Sequence, residues 1–349
     1  MKRFFNLAML SLVLPLFMHA QEPGSSVPLK NKGEAKVSYN RGIESIYEKN
    51  YLVALEYFST ALDLNPEFAL AYLMRGKTNL ELRKIPEAIQ DFTMALKTDM
   101  NLGEANFYRG YVNLSEKADP SVLEDFDLAI NKGFKEHFVY YYRGLYKLIS
   151  GDYTGAILDF NSAIDLQSSY ALAYHDRGTA KRLLGDYQGA IFDYRQAVNC
   201  KPDFSIAFNN MGSVKKMLGD FQGAIDDYSV AVRLDTNYYV AYNNRGSAKF
   251  QLGDYSGALE DFNKVISIKN SYSPALNNMG GTLAKLNKLD ESAKTFDQAI
   301  MNDQSFGYAY LNRGFVRELL GDINGACEDW KTAGDLGVTE AEQYMKECK

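Results

Sequence analysis

A glycine recurs every 34 residues in this chain, at Gly42, Gly76, Gly110, Gly144, Gly178, Gly212, Gly246, Gly280 and Gly314. No insertion or deletion breaks the register. A period this strict predicts a row of equivalent supersecondary units. Each unit buries its apolar side against its neighbours, because one alone is too small to bury it. Seven of the nine glycines follow an arginine, and the other two follow Met211 and Met279.

Let this glycine be position eight of the repeat. Position twenty is then small: Ala54, Ala88, Val122, Ala156, Ala190, Ala224, Ala258, Ser292 and Ala326. Position twenty-four is aromatic in every copy, from Phe58 to Trp330, and position twenty-seven is Ala except at Val265. Apolar residues at helical spacing fill two segments per unit. A Gly-Asp pair separates the segments at residues 151, 185, 219, 253 and 321. Glycine ends a helix in the left-handed conformation and Asp caps the next one. Small residues at eight and twenty let two helix backbones approach, with the aromatic at twenty-four packed beside them.

These residues and this period resemble the tetratricopeptide repeat over nearly the whole chain. That family's proline at position thirty-two is kept only as Pro66 and Pro202. The resemblance implies an all-α, right-handed superhelical solenoid of nine helix-turn-helix repeats over residues 35–340. The tail, residues 341–349, is expected as a C-terminal capping helix. Thr339 and Glu342 have capping-box spacing, and the period puts Tyr344 and Cys348 at positions four and eight of a truncated tenth unit.

The arginine at position seven has a partner in the pattern. Position twenty-three is Asp in seven copies, and six repeats carry both residues, among them Arg75 with Asp91, Arg177 with Asp193 and Arg245 with Asp261. The eighth repeat lacks both, as Met279 and Thr295. Such pairs are expected to join the two helices of one hairpin. The alternative is a charged ligand site.

The chain carries 38 basic and 44 acidic residues, a net charge of −6, without basic runs. That balance argues against nucleic acid and anionic membranes as partners. Residues 1–20 read as a signal peptide: Lys2 and Arg3, then an apolar run over residues 4–18, with cleavage after Ala20. The run is short for a transmembrane span and contains Pro15. Residues 21–34 are expected as a flexible leader. Together these predict an exported protein, periplasmic or extracellular, that is not inserted in a membrane after cleavage. In an oxidising compartment Cys327 and Cys348 can form a disulfide that holds the tail down. Cys200 replaces a leucine or isoleucine of other repeats and is expected as a buried small apolar residue. The ending resembles those of exported repeat proteins of Bacteroidetes-type bacteria.

No catalytic constellation, metal-ligand spacing or phosphate-binding loop stands out, so neither enzyme activity nor a cofactor is expected. His137 and His175 start first helices of adjacent repeats and lack ligand spacing. In a solenoid the binding surface is the concave face, and the resemblance implies that first helices line it. Repeats three and four would present aromatics there, including Tyr108, Tyr111, Tyr141 and Tyr142. Repeats six to nine would present a row of asparagines: Asn210, Asn244, Asn278 and Asn312 at position six, with Asn209, Asn243 and Asn277 at position five. A carboxamide both donates and accepts, so this row suits the backbone of an extended peptide. The expected partner is therefore a protein or peptide. The alternative is a structural subunit of an envelope or secretion assembly. The sequence leaves the oligomeric state open.

Overall fold

The structure, a computed structural model, describes residues 27–116, 119–346 and 348. The expected signal peptide and the start of the leader lie outside the described residues. By its contacts the chain divides into two compact units, Met1–Ser168 and Ser169–Lys349. Both are all-α among the described residues. The N-terminal unit holds α1 (Leu29–Tyr47), α2 (Tyr51–Leu64), α3 (Ala69–Glu81), α4 (Ile85–Thr98), α5 (Gly103–Glu116), α6 (Pro120–Asn131), α7 (His137–Ile149) and α8 (Tyr153–Leu166). The C-terminal unit holds α9 (Ala171–Leu183), α10 (Tyr187–Cys200), α11 (Ser205–Met217), α12 (Phe221–Leu234), α13 (Tyr239–Gln251) and α14 (Tyr255–Ile268). It continues with α15 (Ser273–Lys285), α16 (Leu289–Asn302), α17 (Gly307–Leu319), α18 (Ile323–Asp335), a 3₁₀ turn (Thr339–Ala341) and α19 (Glu342–Met345).

Odd and even helices pair as antiparallel hairpins, one per 34-residue repeat. The close approach inside a hairpin has a steric cause. A Cβ on Gly246 would lie 2.8 Å from the Phe262 ring, so only glycine lets the aromatic at position twenty-four seat under the first helix. Phe58, Phe92, Phe126, Phe160, Tyr194, Tyr228 and Phe262 are accordingly fully buried. The Gly-Asp turns form as their residues require. Gly185 has φ +84°, and Asp186 accepts from the Gly189 amide at 2.9 Å. Where the glycine is missing, Lys49, Arg83 and Asn287 take the same left-handed conformation.

The position-seven arginines meet their aspartates as pairs within a hairpin. Arg177 donates to Asp193 at 2.9 and 2.6 Å, Arg245 to Asp261 at the same distances, and Arg75 to Asp91 at 2.8 Å. Two further contacts were not expected. The residue at position eleven is a second cation on the same carboxylate: Lys181 lies 2.9 Å from Asp193 and Lys249 2.9 Å from Asp261. Arginine also reaches back one repeat, as Arg313 does to Asp297 at 2.6 Å and Arg245 to Ser229 at 3.2 Å. The pairs thus join hairpins as well as helices.

Three expectations need correction. The leader was expected to run to residue 34, but α1 starts at Leu29, directly after Pro28 at the N-cap. The tail is not one helix over 341–349. It makes a 3₁₀ turn and a four-residue helix, too short to propagate, and it is held by packing instead. Tyr344 lies against Phe315 and Trp330, with ring centroids 4.6 and 5.4 Å apart, and Cys348 is bridged to Cys327 across 5.6 Å between Cα atoms. Third, Cys200 is exposed. Its repeat position closes the second helix and points away from the core, as Leu166 and Leu234, 55% and 40% exposed, also show.

Candidate functional site

First helices of successive repeats touch directly: α11 with α13, α13 with α15, and α15 with α17. Asparagines occupy these seams in a fixed register. The Nδ2 of a position-six asparagine donates to the Oδ1 of the position-five asparagine one repeat earlier. Asn244 bonds Asn209 at 3.0 Å, Asn278 bonds Asn243 at 3.1 Å, and Asn312 bonds Asn277 at 2.9 Å. In repeat five His175 stands at position five. Its Nε2 lies 2.9 Å from Asn210 Nδ2, and its Nδ1 lies 2.9 Å from Asp176 Oδ1. With the Nδ1 proton directed at that carboxylate, Nε2 accepts from Asn210. Asn209 Nδ2 also donates to Asn210 Oδ1 at 3.3 Å, so a continuous polar chain runs from Asp176 to Asn244.

The row is therefore a set of inter-repeat rungs as well as a surface. Each rung uses one proton of the donor and the oxygen of the acceptor. Among the described residues the side-chain oxygens of Asn244, Asn278 and Asn312 and the side-chain nitrogens of Asn243 and Asn277 keep no protein partner. These residues are half-buried, whereas Asn209 is buried. Sequence reading found the asparagines but missed the rungs and His175. The histidine's place at position five, in register with Asn209, was the available signal.

A cavity of about 440 Å³ opens beside the last two rungs. Asn277, Asn278 and Asn312 form its polar side, and Phe250, Phe296 and Phe315 stand among its apolar walls. Exposed Lys285 is the one charged residue of the lining.

The aromatic zone of repeats three and four turns out differently. Tyr108, Tyr111 and Tyr141 are only 4–6% exposed and belong to the core; Tyr142 is half-buried. Tyr108 stacks on Phe92 at 5.6 Å, Tyr111 meets Tyr142 edge-on at 4.8 Å, and Phe107 packs on Phe138 at 4.9 Å. Their rings fill the inter-repeat seam, which removes Tyr108, Tyr111 and Tyr141 from a ligand-facing surface. Beneath them Lys77, also buried, pairs with Glu104 at 2.7 Å and lies over the Tyr108 ring.

Burial raises the Asp227 carboxyl above the usual range, against the pull of Lys215. Repeat six has Met211 where seven repeats have arginine, so Asp227 pairs with Lys215 and lacks the arginine that Asp193 and Asp261 have as well as a lysine. Among the described residues no group of three His, Cys, Asp or Glu side chains is placed to hold a metal ion, and no helix is long and apolar enough to cross a membrane.

Tetratricopeptide repeat profiles match residues 39–102, 171–204 and 239–272. No curated protein matches the sequence. Among solved structures, a tetratricopeptide repeat protein from Parabacteroides merdae is similar at 17% identity and a TM-score of 0.51, covering 72% of this chain and 99% of that one. PilF of Pseudomonas aeruginosa is similar at 18% identity and a TM-score of 0.52, covering 60% and 97%. At such identities the likeness is one of fold. With three matched segments, a 34-residue period and, within each unit, hairpins packed on the next in sequence order, the chain belongs to the tetratricopeptide repeat family, whose fold serves as a scaffold for protein–protein interaction.

Proposed function

We propose that this chain is an exported, non-enzymatic scaffold that binds an extended segment of a partner protein along the first helices of its C-terminal unit. One observation carries the reading. The carboxamides of Asn243, Asn244, Asn277, Asn278 and Asn312 are held in register by the rungs, yet they keep both donors and acceptors unused. An extended backbone offers the complementary alternation of N–H and C=O groups. Because the rungs fix the side chains in advance, binding orders little that is not already ordered. Export is supported by the signal-like residues 1–20 and by the Cys327–Cys348 bridge, which suits an oxidising compartment.

The test is affinity capture from envelope extract with the full chain and with the Asn244→Ala/Asn278→Ala/Asn312→Ala variant. The triple variant is expected to lose the partner while keeping its helical circular dichroism. Retention of the partner at wild-type level would remove the first-helix face from the reading. Mass spectrometry of the protein from its native host tests export, with a chain beginning at Gln21 as the expected result.

A further inference from the structure

The cavity lies where repeats seven and eight differ from the two repeats before them. In repeats five and six the residue at position twenty-four is tyrosine, and its hydroxyl bonds the side chain at position nine. Tyr194 pairs with Thr179 at 3.1 Å, and Tyr228 donates to Ser213 at 3.1 Å. Repeats seven and eight carry Phe262 and Phe296 instead, so both hydroxyls are gone, and position nine shrinks from Ser247 to Gly281. A Cβ built on Gly281 meets nothing within 4 Å. Unlike Gly246 or Gly280, this glycine does not serve helix packing; it leaves space open.

Repeat eight also gives up the charged cluster of its neighbours. Met279, Leu283 and Thr295 replace the arginine, lysine and aspartate of repeat seven, Arg245, Lys249 and Asp261. The cavity has Phe250, Phe262, Phe296 and Phe315 among its walls, and the carboxamides of Asn277, Asn278 and Asn312 bound one side. None of its lining residues is acidic. Lys285 is exposed and has no ion pair among the described residues. Its size lies within the roughly 300–1,000 Å³ of ordinary ligand pockets.

We propose that this cavity anchors one large apolar side chain, aromatic or leucine-like, of a bound peptide, and that Lys285 pairs with a carboxylate next to that anchor. The inference rests on the peptide-binding reading above and adds the chemistry of the ligand. The apolar walls supply the favourable burial. The asparagine carbonyls and amides hold the flanking backbone. The unpaired lysine, in a cavity with no competing acid, selects the sign of the neighbouring charge. The carboxylate can belong to Asp or Glu or to the peptide's own C-terminus.

The test presents the full-length protein with a random library of short peptides in two arms, one amidated at the C-terminus and one with the free acid, and sequences the bound pool. The expected pool is enriched in a large apolar residue followed by a carboxylate. Enrichment in both arms assigns the carboxylate to a side chain, and enrichment in the free-acid arm alone assigns it to the C-terminus. Gly281→Leu, whose Cβ would meet nothing within 4 Å, extends an apolar side chain at the cavity wall and should weaken a selected peptide roughly tenfold to hundredfold. Gly281→Ala, too small to fill it, should leave binding near wild type and controls for folding. Lys285→Glu should turn the preference from acidic to basic neighbours. A pool without apolar selection, or one that Gly281→Leu binds as well as wild type, overturns the anchor. If that pool is still lost in the triple asparagine variant, the peptide-binding reading stands without the anchor. Capture of no peptide at all sinks both.

Discussion

Repeat positions five and six carry Phe107 and Tyr108 in the third repeat and Asn277 and Asn278 in the eighth. The two pairs occupy equivalent places at the seam between first helices, and they solve the same packing problem differently. In the N-terminal unit rings close the seam and are buried; Phe107 is fully buried and lies within 6.0 Å of six other rings. In the C-terminal unit an amide hydrogen bond per repeat spans it, and Asn277, Asn278 and Asn312 stay half-buried. Aromatic packing gains from excluding water, so it draws Phe107, Tyr108, Tyr111 and Tyr141 into the core. An amide rung spends only part of its hydrogen-bonding capacity, so the same seam can hold the solenoid together and meet a ligand. One backbone design thus yields a sealed region and a receptive one.

The largest expected effect is on the sealed side. Phe107→Ala should cost about 3–5 kcal/mol. Hydrogen exchange should locate the loss in α5, α6 and α7, and an effect below about 1 kcal/mol would mean that the rings are not the main seal. Asn277→Ala at the equivalent position should cost far less.

Next in size is the tail. Cys348→Ser opens a loop spanning 21 residues and should cost roughly 3 kcal/mol in the chain-entropy description. Exchange should quicken in α17 and α18, because Tyr344 packs on Phe315 and Trp330. Phe315 also walls the cavity, so binding there should weaken together with the tail. A purely local loss of protection at residues 339–348 would break that link.

The rungs come third. Each lost amide bond should cost about 0.5–1.5 kcal/mol, offset in part by the better helix propensity of alanine, worth up to about 0.7 kcal/mol. The Asn244→Ala/Asn278→Ala/Asn312→Ala variant should therefore melt a few degrees lower at most. A loss as large as that of Phe107→Ala would show that the rungs are chiefly structural and blur the contrast between the units.

The smallest effect is titration at high pH. Burial pushes the Tyr39 hydroxyl up to about 12, with Glu104 adding to the shift, and burial does the same for Tyr228 and Tyr238. A phenol whose folded pKa exceeds its unfolded value near 10 stabilises the fold fully below that unfolded value. The contribution is lost as pH rises towards about 12. Tyrosinate absorbance should show late-ionising phenols in both units. Tyr228→Phe should remove one of them and, by vacating the bond to Ser213, bring repeat six closer to the open arrangement of repeat seven.

Much of this fold is legible in the sequence. Gly246 and Phe262, the Gly185–Asp186 turn and the Arg177–Asp193 pair each do what their recurrence implied. A residue repeated with the scaffold is constrained by local geometry, and local geometry is identical in every copy. The candidate site was legible only in part, because it depends on what lies across a seam. Tyr108 and Asn278 look equally able to face a ligand when read along one helix, and their neighbours one repeat away decide otherwise.

The sequence by itself therefore determined the period, the hairpin, its turns and its buried ion pairs, because each depends on residues at fixed separations within one repeat. The tertiary structure alone decided which first-helix residues seal and which remain available, where a cavity opens beside Gly281, and that the tail is a 3₁₀ turn and a four-residue helix instead of one longer helix. Those features depend on volumes and hydrogen-bond valences shared between successive repeats, which no single repeat contains.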